Sequence, residues 1–133
     1  MLSKSKHASL IPVKNMSRAI RFYTNTLGGS LNMRGTKEMR DYWASVNVGK
    51  AEFWLVKPDK IESRKLSYNT FTVKNIRATV KGLKSKSVKF LPAENMGPGT
   101  KINGPIASGP FGANAFFKDS EGNLLMLWQI PKM

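Results

Sequence analysis

In the first half of the chain, apolar and polar residues alternate over one short stretch, and apolar residues then recur at helical spacing. These two patterns predict a strand followed by a helix. Alternation over residues 7–13 predicts a strand. A helix is expected next, with Asn15 as its N-cap and Gly28 as its stop signal. Its apolar positions are Met16, Ala19, Ile20, Tyr23 and Leu27. Further strands are predicted over 31–33, 43–48 and 51–56.

The second half repeats this plan: Val13-Lys14-Asn15-Met16 returns as Val73-Lys74-Asn75-Ile76. A strand is predicted over 68–73, and a helix follows from the cap Asn75 to about Lys86. Strands are then expected over 88–91, 113–118 and 124–130, with a turn at 119–123. A chain built from two similar halves is expected to place its ligand site between them.

The domain organisation follows from this repeat. Residues 1–133 are expected to form one α+β domain, with a first module over 6–57 and a second over 66–130. The second module carries an extra stretch, 92–110, rich in Gly, Pro, Asn and Lys. We expect its residues Glu94 to Gly109 to act as a loop that partly closes the site, and a surface excursion is the alternative.

The amino-acid composition limits the class of protein and its expected cellular location. The chain is 41% hydrophobic and 23% charged, which is typical of a globular protein. It has no cysteine, so disulfides and thiolate metal sites are excluded. No apolar run approaches the roughly 18 residues of a membrane span, and no apolar signal region follows Met1. We therefore expect a cytoplasmic protein with no membrane partner.

The formal net charge of +14 favours anionic partners. On the second predicted helix, basic residues recur at helical spacing and form a stripe, which consists of Lys74, Arg77, Lys81 and Lys84. A solvated surface is the favoured interpretation of this stripe, since charge informs solubility more than fold. Binding of nucleic acid or another anionic surface is the alternative, although no known nucleic-acid-binding motif is present.

Two segments resemble a known superfamily. The run Ile11-Pro12-Val13-Lys14-Asn15-Met16-Ser17-Arg18-Ala19-Ile20-Arg21-Phe22-Tyr23, closing on Leu27-Gly28-Gly29, resembles the opening of vicinal oxygen chelate proteins, the glyoxalase, bleomycin-resistance and extradiol-dioxygenase superfamily. The stretch Ala115-Phe116-Phe117-Lys118-Asp119-Ser120-Glu121-Gly122-Asn123-Leu124 is similar to its closing hairpin. The resemblance implies paired βαβββ modules, an open eight-stranded cup and a homodimer.

The resemblance also implies where a divalent metal would be held, since enzymes of this superfamily use His, Gln or Glu from the first and last strand of each module. The corresponding positions here are Ala8, Phe53, Tyr68 and Met126. Of these, only tyrosine has a coordinating oxygen, whereas such sites normally need three or four ligands. His7 and Glu52 each lie one position away, where alternation turns them out of the cup unless a bulge intervenes. We expect no metal and no other cofactor.

The expected ligand site is the inside of that cup. By alternation, it is lined by Ala8, Leu10, Pro12, Phe53, Tyr68, Thr70, Thr72, Met126 and Trp128. Tyr42, Trp43 and Trp54 are close to it in sequence, but alternation does not fix their faces. Core filling is the competing interpretation for these apolar residues.

The predicted function is therefore binding of a small organic ligand without metal, with basic rim residues favouring an anionic one. Catalytic residues are not identifiable, because cysteine is absent and the single histidine has no recognisable Ser and Asp partners. The first alternative is a metal-dependent lyase, isomerase or dioxygenase that uses His7 and Glu52. The second is nucleic-acid or anionic-surface binding through the basic helix face.

Overall fold

The computed structural model describes residue 3 and residues 8–58, 69–110 and 112–131. These residues contain two α-helices and two β-sheets. The chain divides into two compact units, Met1–Arg64 and Lys65–Met133. The first contains a four-stranded sheet and the second a five-stranded sheet. This is the predicted α+β class.

The first unit is built from four strands and one helix. Its sheet has the order β1-β4-β3-β2, with β1 parallel to β4 and the other pairs antiparallel. A π-helical turn (Phe22–Thr26) continues α1, and a short 3-10 turn (Lys37–Met39) follows β2. The elements are β1 (Ser9–Pro12), α1 (Met16–Arg21), β2 (Ser30–Arg34), β3 (Trp43–Val48) and β4 (Ala51–Val56).

The second unit follows the same plan with one additional strand. Its sheet has the order β5-β9-β8-β7-β6, and β5 runs parallel to β9. The turn between β8 and β9 is held by Asp119, whose carboxylate accepts hydrogen bonds from the backbone N–H groups of Glu121 and Asn123 at 2.8 Å. The elements are β5 (Asn69–Thr72), α2 (Ile76–Ser85), β6 (Lys101–Asn103), β7 (Ile106–Gly109), β8 (Gly112–Lys118) and β9 (Leu124–Gln129).

The sequence repeat corresponds to repeated hydrogen bonds. Asn15 Oδ1 accepts from the backbone N–H of Arg18 at 3.0 Å, and Asn75 Oδ1 accepts from that of Ala78 at 3.1 Å. Both predicted N-caps are therefore confirmed, and each satisfies a helix N–H that would otherwise lack a partner.

The core of the first unit lies between its sheet and α1. Tyr23, in the turn that continues α1, is fully buried, and its ring centroid lies 5.5 Å from that of Phe53 on β4. Because strand side chains alternate, Ile11, Ala44, Val46 and Leu55 share this helix-covered side, and each is at most 1% exposed.

The expectation that Phe53 lines the ligand cup together with Leu10 is wrong. Leu10 pairs in register with Trp54, so Leu10 and Phe53 lie on opposite faces of the sheet. The error comes from aligning Gly49 with Gly122, because the two glycines occupy turns of different length. Gly49 lies in a two-residue turn between the paired Val48 and Ala51, whereas Gly122 lies in a five-residue turn between Lys118 and Leu124.

The core of the second unit lies between its sheet and α2. Gln129 on β9 reaches that helix, since its side-chain oxygen accepts a hydrogen bond from the Ile76 N–H at 2.8 Å. Alternation then places five buried apolar residues on the same side as Gln129. They are Ala113, Ala115, Phe117, Leu125 and Leu127.

The segment between α2 and β8 differs from its prediction. No regular strand forms over 88–91, where Phe90 makes one isolated bridge to Phe117. Instead, the expected loop over 92–110 contains the antiparallel hairpin of β6 and β7, and β7 pairs with β8. The described residues therefore form nine strands rather than the eight that the resemblance implies. The strands of this hairpin are three and four residues long and lie in a stretch rich in Gly, Pro, Asn and Lys, a composition that predicts a loop.

Of the helices in the described ranges, none combines the length and apolar character that crossing a membrane requires.

Phe53→Ala and Leu10→Ala provide a test of the face assignment. Phe53→Ala should lower the free energy of unfolding by about 3–5 kcal/mol, because it empties a buried site against Tyr23. Leu10 is 66% exposed, so Leu10→Ala should change it by at most about 0.5 kcal/mol. Urea unfolding of both variants measures this, and equal destabilisation would contradict the assignment.

Candidate functional site

The side of the first sheet opposite α1 carries a mixture of apolar and polar side chains, and we call it the helix-free face of the first sheet. Register places its members on all four strands of that sheet. Trp54 pairs with Leu10 on one side and with Ser45 on the other, and Met33 pairs with Ser45. The face consists of Leu10, Asn32, Met33, Trp43, Ser45, Glu52 and Trp54.

Two tryptophans form the apolar part of this face. Trp43 pairs in register with Val56, which makes Trp54 its diagonal neighbour across β3 and β4. Their ring centroids lie 5.5 Å apart with 30° between the ring planes. Both side chains are only partly buried, so the indoles present exposed aromatic surface to a ligand.

A line of three hydrogen-bonded polar side chains runs beside the tryptophans. Asn32 Nδ2 donates to Ser45 Oγ at 3.2 Å, and Ser45 Oγ donates to Glu52 Oε1 at 3.1 Å. We call Asn32, Ser45 and Glu52 the polar line. Ser45 is 0% exposed, so its hydroxyl needs both partners, since a buried polar group without a hydrogen bond is destabilising.

A register irregularity places Asn32 in this line. Leu31 pairs with Val46 and Met33 pairs with Ser45, which leaves Asn32 as an extra residue on β2. Such a bulge re-aims a side chain and bends the strand locally. The bulge is why sequence reasoning missed Asn32 and Ser45, since neither residue type nor spacing marks an inserted residue.

In the second unit, the surface equivalent to the helix-free face of the first sheet is the side of the second sheet opposite α2. Thr70 pairs with Met126, and Thr72 pairs with Trp128, so these four predicted cup residues share one face. Asn114 pairs with Trp128 on the same face and is 4% exposed. We call this set the helix-free face of the second sheet. Tyr68, also predicted to line the cup, lies outside the described residues.

The two sheets carry different side chains at equivalent positions of the repeat. The repeat makes Leu10 equivalent to Thr70, so Trp54 occupies the position that corresponds to Met126. An indole and a thioether therefore occupy these two positions, and neither suits a hard divalent ion such as Mg²⁺ or Mn²⁺. Within the described ranges, no group of three or more His, Cys, Asp or Glu side chains is placed to hold a metal ion.

The two metal candidates of the alternative function have different outcomes. His7 lies outside the described residues. Glu52 was expected to point out of the cup, but it lies on the helix-free face of the first sheet, where it accepts the hydrogen bond from Ser45. Ala8, directly before β1, is partly buried and offers no ligand atom.

The basic stripe is divided between two places. Arg77, Lys81 and Lys84 lie on α2 and line a groove of about 330 Å³ together with residues 103–106 of the β6–β7 hairpin. Lys74 precedes the helix and lines a separate pocket of about 430 Å³ with Thr72, Val73, Gln129 and Ile130. The stripe is therefore three residues long on the helix.

Solved structures with the same fold come from several bacteria. The chain is 20% identical to TnmS3, an antibiotic binding protein from Streptomyces sp. CB03234, over 96% of this chain and 98% of that one, with a TM-score of 0.67. It is 13% identical to the Listeria monocytogenes fosfomycin resistance protein FosX, complexed with Mn(II) and 1S,2S-dihydroxypropylphosphonic acid, over 96% and 93%, with a TM-score of 0.73.

A glyoxalase family protein from Enterococcus faecalis is 19% identical over 96% of this chain and 99% of its own, with a TM-score of 0.69. No curated protein sequence matches the chain. The sequence profile of the Glyoxalase/Bleomycin resistance protein/Dioxygenase superfamily matches residues 4–127, which is most of the chain. This protein belongs to the Glyoxalase/Bleomycin resistance protein/Dioxygenase superfamily.

Proposed function

We propose that this protein binds a small, flat organic molecule on the helix-free face of the first sheet, and that it does so without a metal ion. The observation that carries the proposal is the Trp43–Trp54 pair, with ring centroids 5.5 Å apart, beside a polar line on the same face. Small-molecule sites commonly combine aromatic surface with a few fixed polar groups in this way.

The aromatic pair accounts for affinity. A planar ligand that stacks on an indole or lies against its edge removes apolar area from water, and aromatic contacts add about 0.5–1.5 kcal/mol beyond that area. The neighbouring Leu10 and Met33 are 66% and 46% exposed, so they extend the apolar surface on both sides of the tryptophans.

The polar line accounts for orientation. Its Glu52 carboxylate offers acceptor oxygens to a ligand N–H or O–H, because an ionised carboxylate has about four lone-pair sites on its two oxygens. The strand positions that form this face include no Lys or Arg. The expected preference for an anionic ligand therefore finds no support here, and we propose a neutral or cationic ligand with a hydrogen-bond donor.

The comparisons support a binding role in a limited way. TnmS3 shares the fold and is an antibiotic binding protein, which makes an organic ligand a natural occupant of this architecture. FosX shares the fold in a complex with Mn(II), whereas the helix-free faces here carry an indole, Trp54, and a thioether, Met126, at the two positions that the internal repeat makes equivalent. Among the described residues of this face, Glu52 is a single carboxylate without a neighbouring acid or histidine, which favours binding over catalysis.

A homodimer, as the resemblance implies, is part of the proposal. The β2 strand lies at one edge of the first sheet, and its Leu31, which is on the side away from the proposed ligand site, is 47% exposed. Exposed apolar side chains on an edge strand are commonly covered by another chain.

Trp43→Ala should weaken ligand binding by about tenfold or more, because it removes half of the aromatic pair. The measurement is tryptophan fluorescence titration against a panel of planar bicyclic and tricyclic aromatic compounds. Tyr42→Ala is the matched control, since Tyr42 is an aromatic residue next in sequence but outside the helix-free face. Equal affinity of the Trp43→Ala and native proteins for every bound compound would refute the site.

Ser45→Ala should lower the free energy of unfolding by about 1–3 kcal/mol, because it removes the hydroxyl that links Asn32 to Glu52 at a fully buried position. Ser30→Ala, at an exposed position of β2, should change it by at most about 0.5 kcal/mol. Urea unfolding measures both changes. A Ser45→Ala protein as stable as the Ser30→Ala protein would show that the polar line contributes no stability.

Dialysis against EDTA should leave ligand affinity unchanged, and metal analysis of the purified protein should find well below one bound ion per chain. The reason is that the described faces lack the three or four ligands of a tight site. A stoichiometric ion that is lost in His7→Ala or Glu52→Gln would instead support the metalloenzyme alternative.

A further inference from the structure

The basic row on α2 is a continuous feature of one helix face. Arg77, Lys81 and Lys84 follow one another at spacings of four and three residues, which places them on the same side of an α-helix. All three are exposed, while Val80 beside them is 5% exposed and anchors the helix to its sheet. The helix Ile76–Ser85 contains no acidic residue, so nothing on it neutralises the row.

These cations line a shallow, open groove. Its opposite side is the tip of the β6–β7 hairpin, formed by Asn103, Gly104, Pro105 and Ile106, and the groove has a volume of about 330 Å³. Lys101 pairs with Ser108, two positions from Ile106 along β7, and therefore lies on the same side of the hairpin as the groove. The β6–β7 hairpin, which the sequence pattern did not predict, thus forms the second side of the open groove beside the charged helix face.

Within the described ranges, the side chains of this row have no intramolecular partner. No hydrogen bond or ion pair there involves the guanidinium of Arg77 or the ammonium groups of Lys81 and Lys84, whereas the guanidinium of Arg34 pairs with Asp41 at 3.3 Å. Unpaired cations repel one another, and this repulsion is relieved when a polyanion binds.

We propose that this groove binds the phosphate backbone of a nucleic acid without reading its sequence. Seven residues at about 1.5 Å rise separate Arg77 from Lys84, a span of roughly 10 Å. Phosphates of one duplex strand are spaced about 3.4 Å apart along the axis, so the row extends over about three of them. A linear row in an open groove fits a polymeric anion better than a single compact phosphate, which a converging cluster would hold.

The groove is separate from the proposed small-molecule site, since none of the groove residues belongs to the helix-free face of the first sheet. The charge of the whole chain, +14, would assist the approach of any polyanion, so the experiment must separate the groove from that general field.

The experiment measures binding of a fluorescent 30-base-pair duplex of arbitrary sequence by anisotropy over a range of NaCl concentrations. For three phosphate contacts, the groove contributes about −2.7 to the slope of log K against log salt. The triple variant Arg77→Gln/Lys81→Gln/Lys84→Gln should reduce the size of the slope by about 2 to 3 and weaken binding at low salt at least tenfold. Unchanged circular dichroism verifies folding of the variant.

The matched control is Arg21→Gln/Lys50→Gln/Lys118→Gln, which removes the same charge from three exposed positions outside the groove. Its salt slope should stay close to that of the native protein. Equal slopes in the two triple variants would show that binding is diffuse and would overturn the proposal. Absence of binding at low salt would also overturn it, as would tighter, variant-sensitive binding to phosphatidylserine vesicles, which would assign the groove to membranes.

Discussion

Strict alternation of strand side chains, fixed in register by packing against one helix, is the constraint on which the first unit depends. Phe53 is held against the buried Tyr23, so its neighbours Glu52 and Trp54 must lie on the opposite face. A shift of one residue would exchange these faces and expose the core side of β4 to water. The chemistry of the helix-free face is therefore set by the apolar packing on the other side of the same strand.

Within that constraint, the polar line is the feature that gives the face a defined chemistry. A fully buried serine hydroxyl is destabilising unless it has partners, and here it has a donor in Asn32 and an acceptor in Glu52. The bulge that supplies Asn32 lies on an edge strand, where an extra residue disturbs the ladder on one side only. The result is a fixed polar group beside an aromatic surface, and in the proposed function this group orients the organic ligand.

The distribution of charge separates the two proposed activities. A chain of net charge +14 would be expected to surround any ligand site with cations, yet the strand positions around Trp54 include a carboxylate and no basic residue. Three cations of α2, whose side chains have no partner within the described ranges, line the groove between α2 and the β6–β7 hairpin. One surface is suited to a flat and largely apolar molecule, and the other to a polyanion.

Much of the fold could be predicted from short-range patterns in the sequence. The bounds of β3 and β4 and the caps Asn15 and Asn75 could be predicted from the sequence, because alternation, cap chemistry and glycine signals act over a few neighbouring residues. The superfamily could be identified for the same reason, since its two motifs are continuous stretches of chain.

Less of the expected ligand cup could be predicted. Four residues of the second sheet that were expected to line it do share a face, because alternation along regular strands needs no tertiary information; they are Thr70, Thr72, Met126 and Trp128. Phe53, Asn32 and the β6–β7 hairpin could not be placed in this way. A turn length, a bulge and the pairing of very short strands depend on contacts between residues distant in sequence. The sequence by itself determined which segments are helices and long strands, and it determined that few metal ligands are present. Only the tertiary structure decided which face of the sheet Glu52 and Trp54 occupy, because register is set by packing across strands.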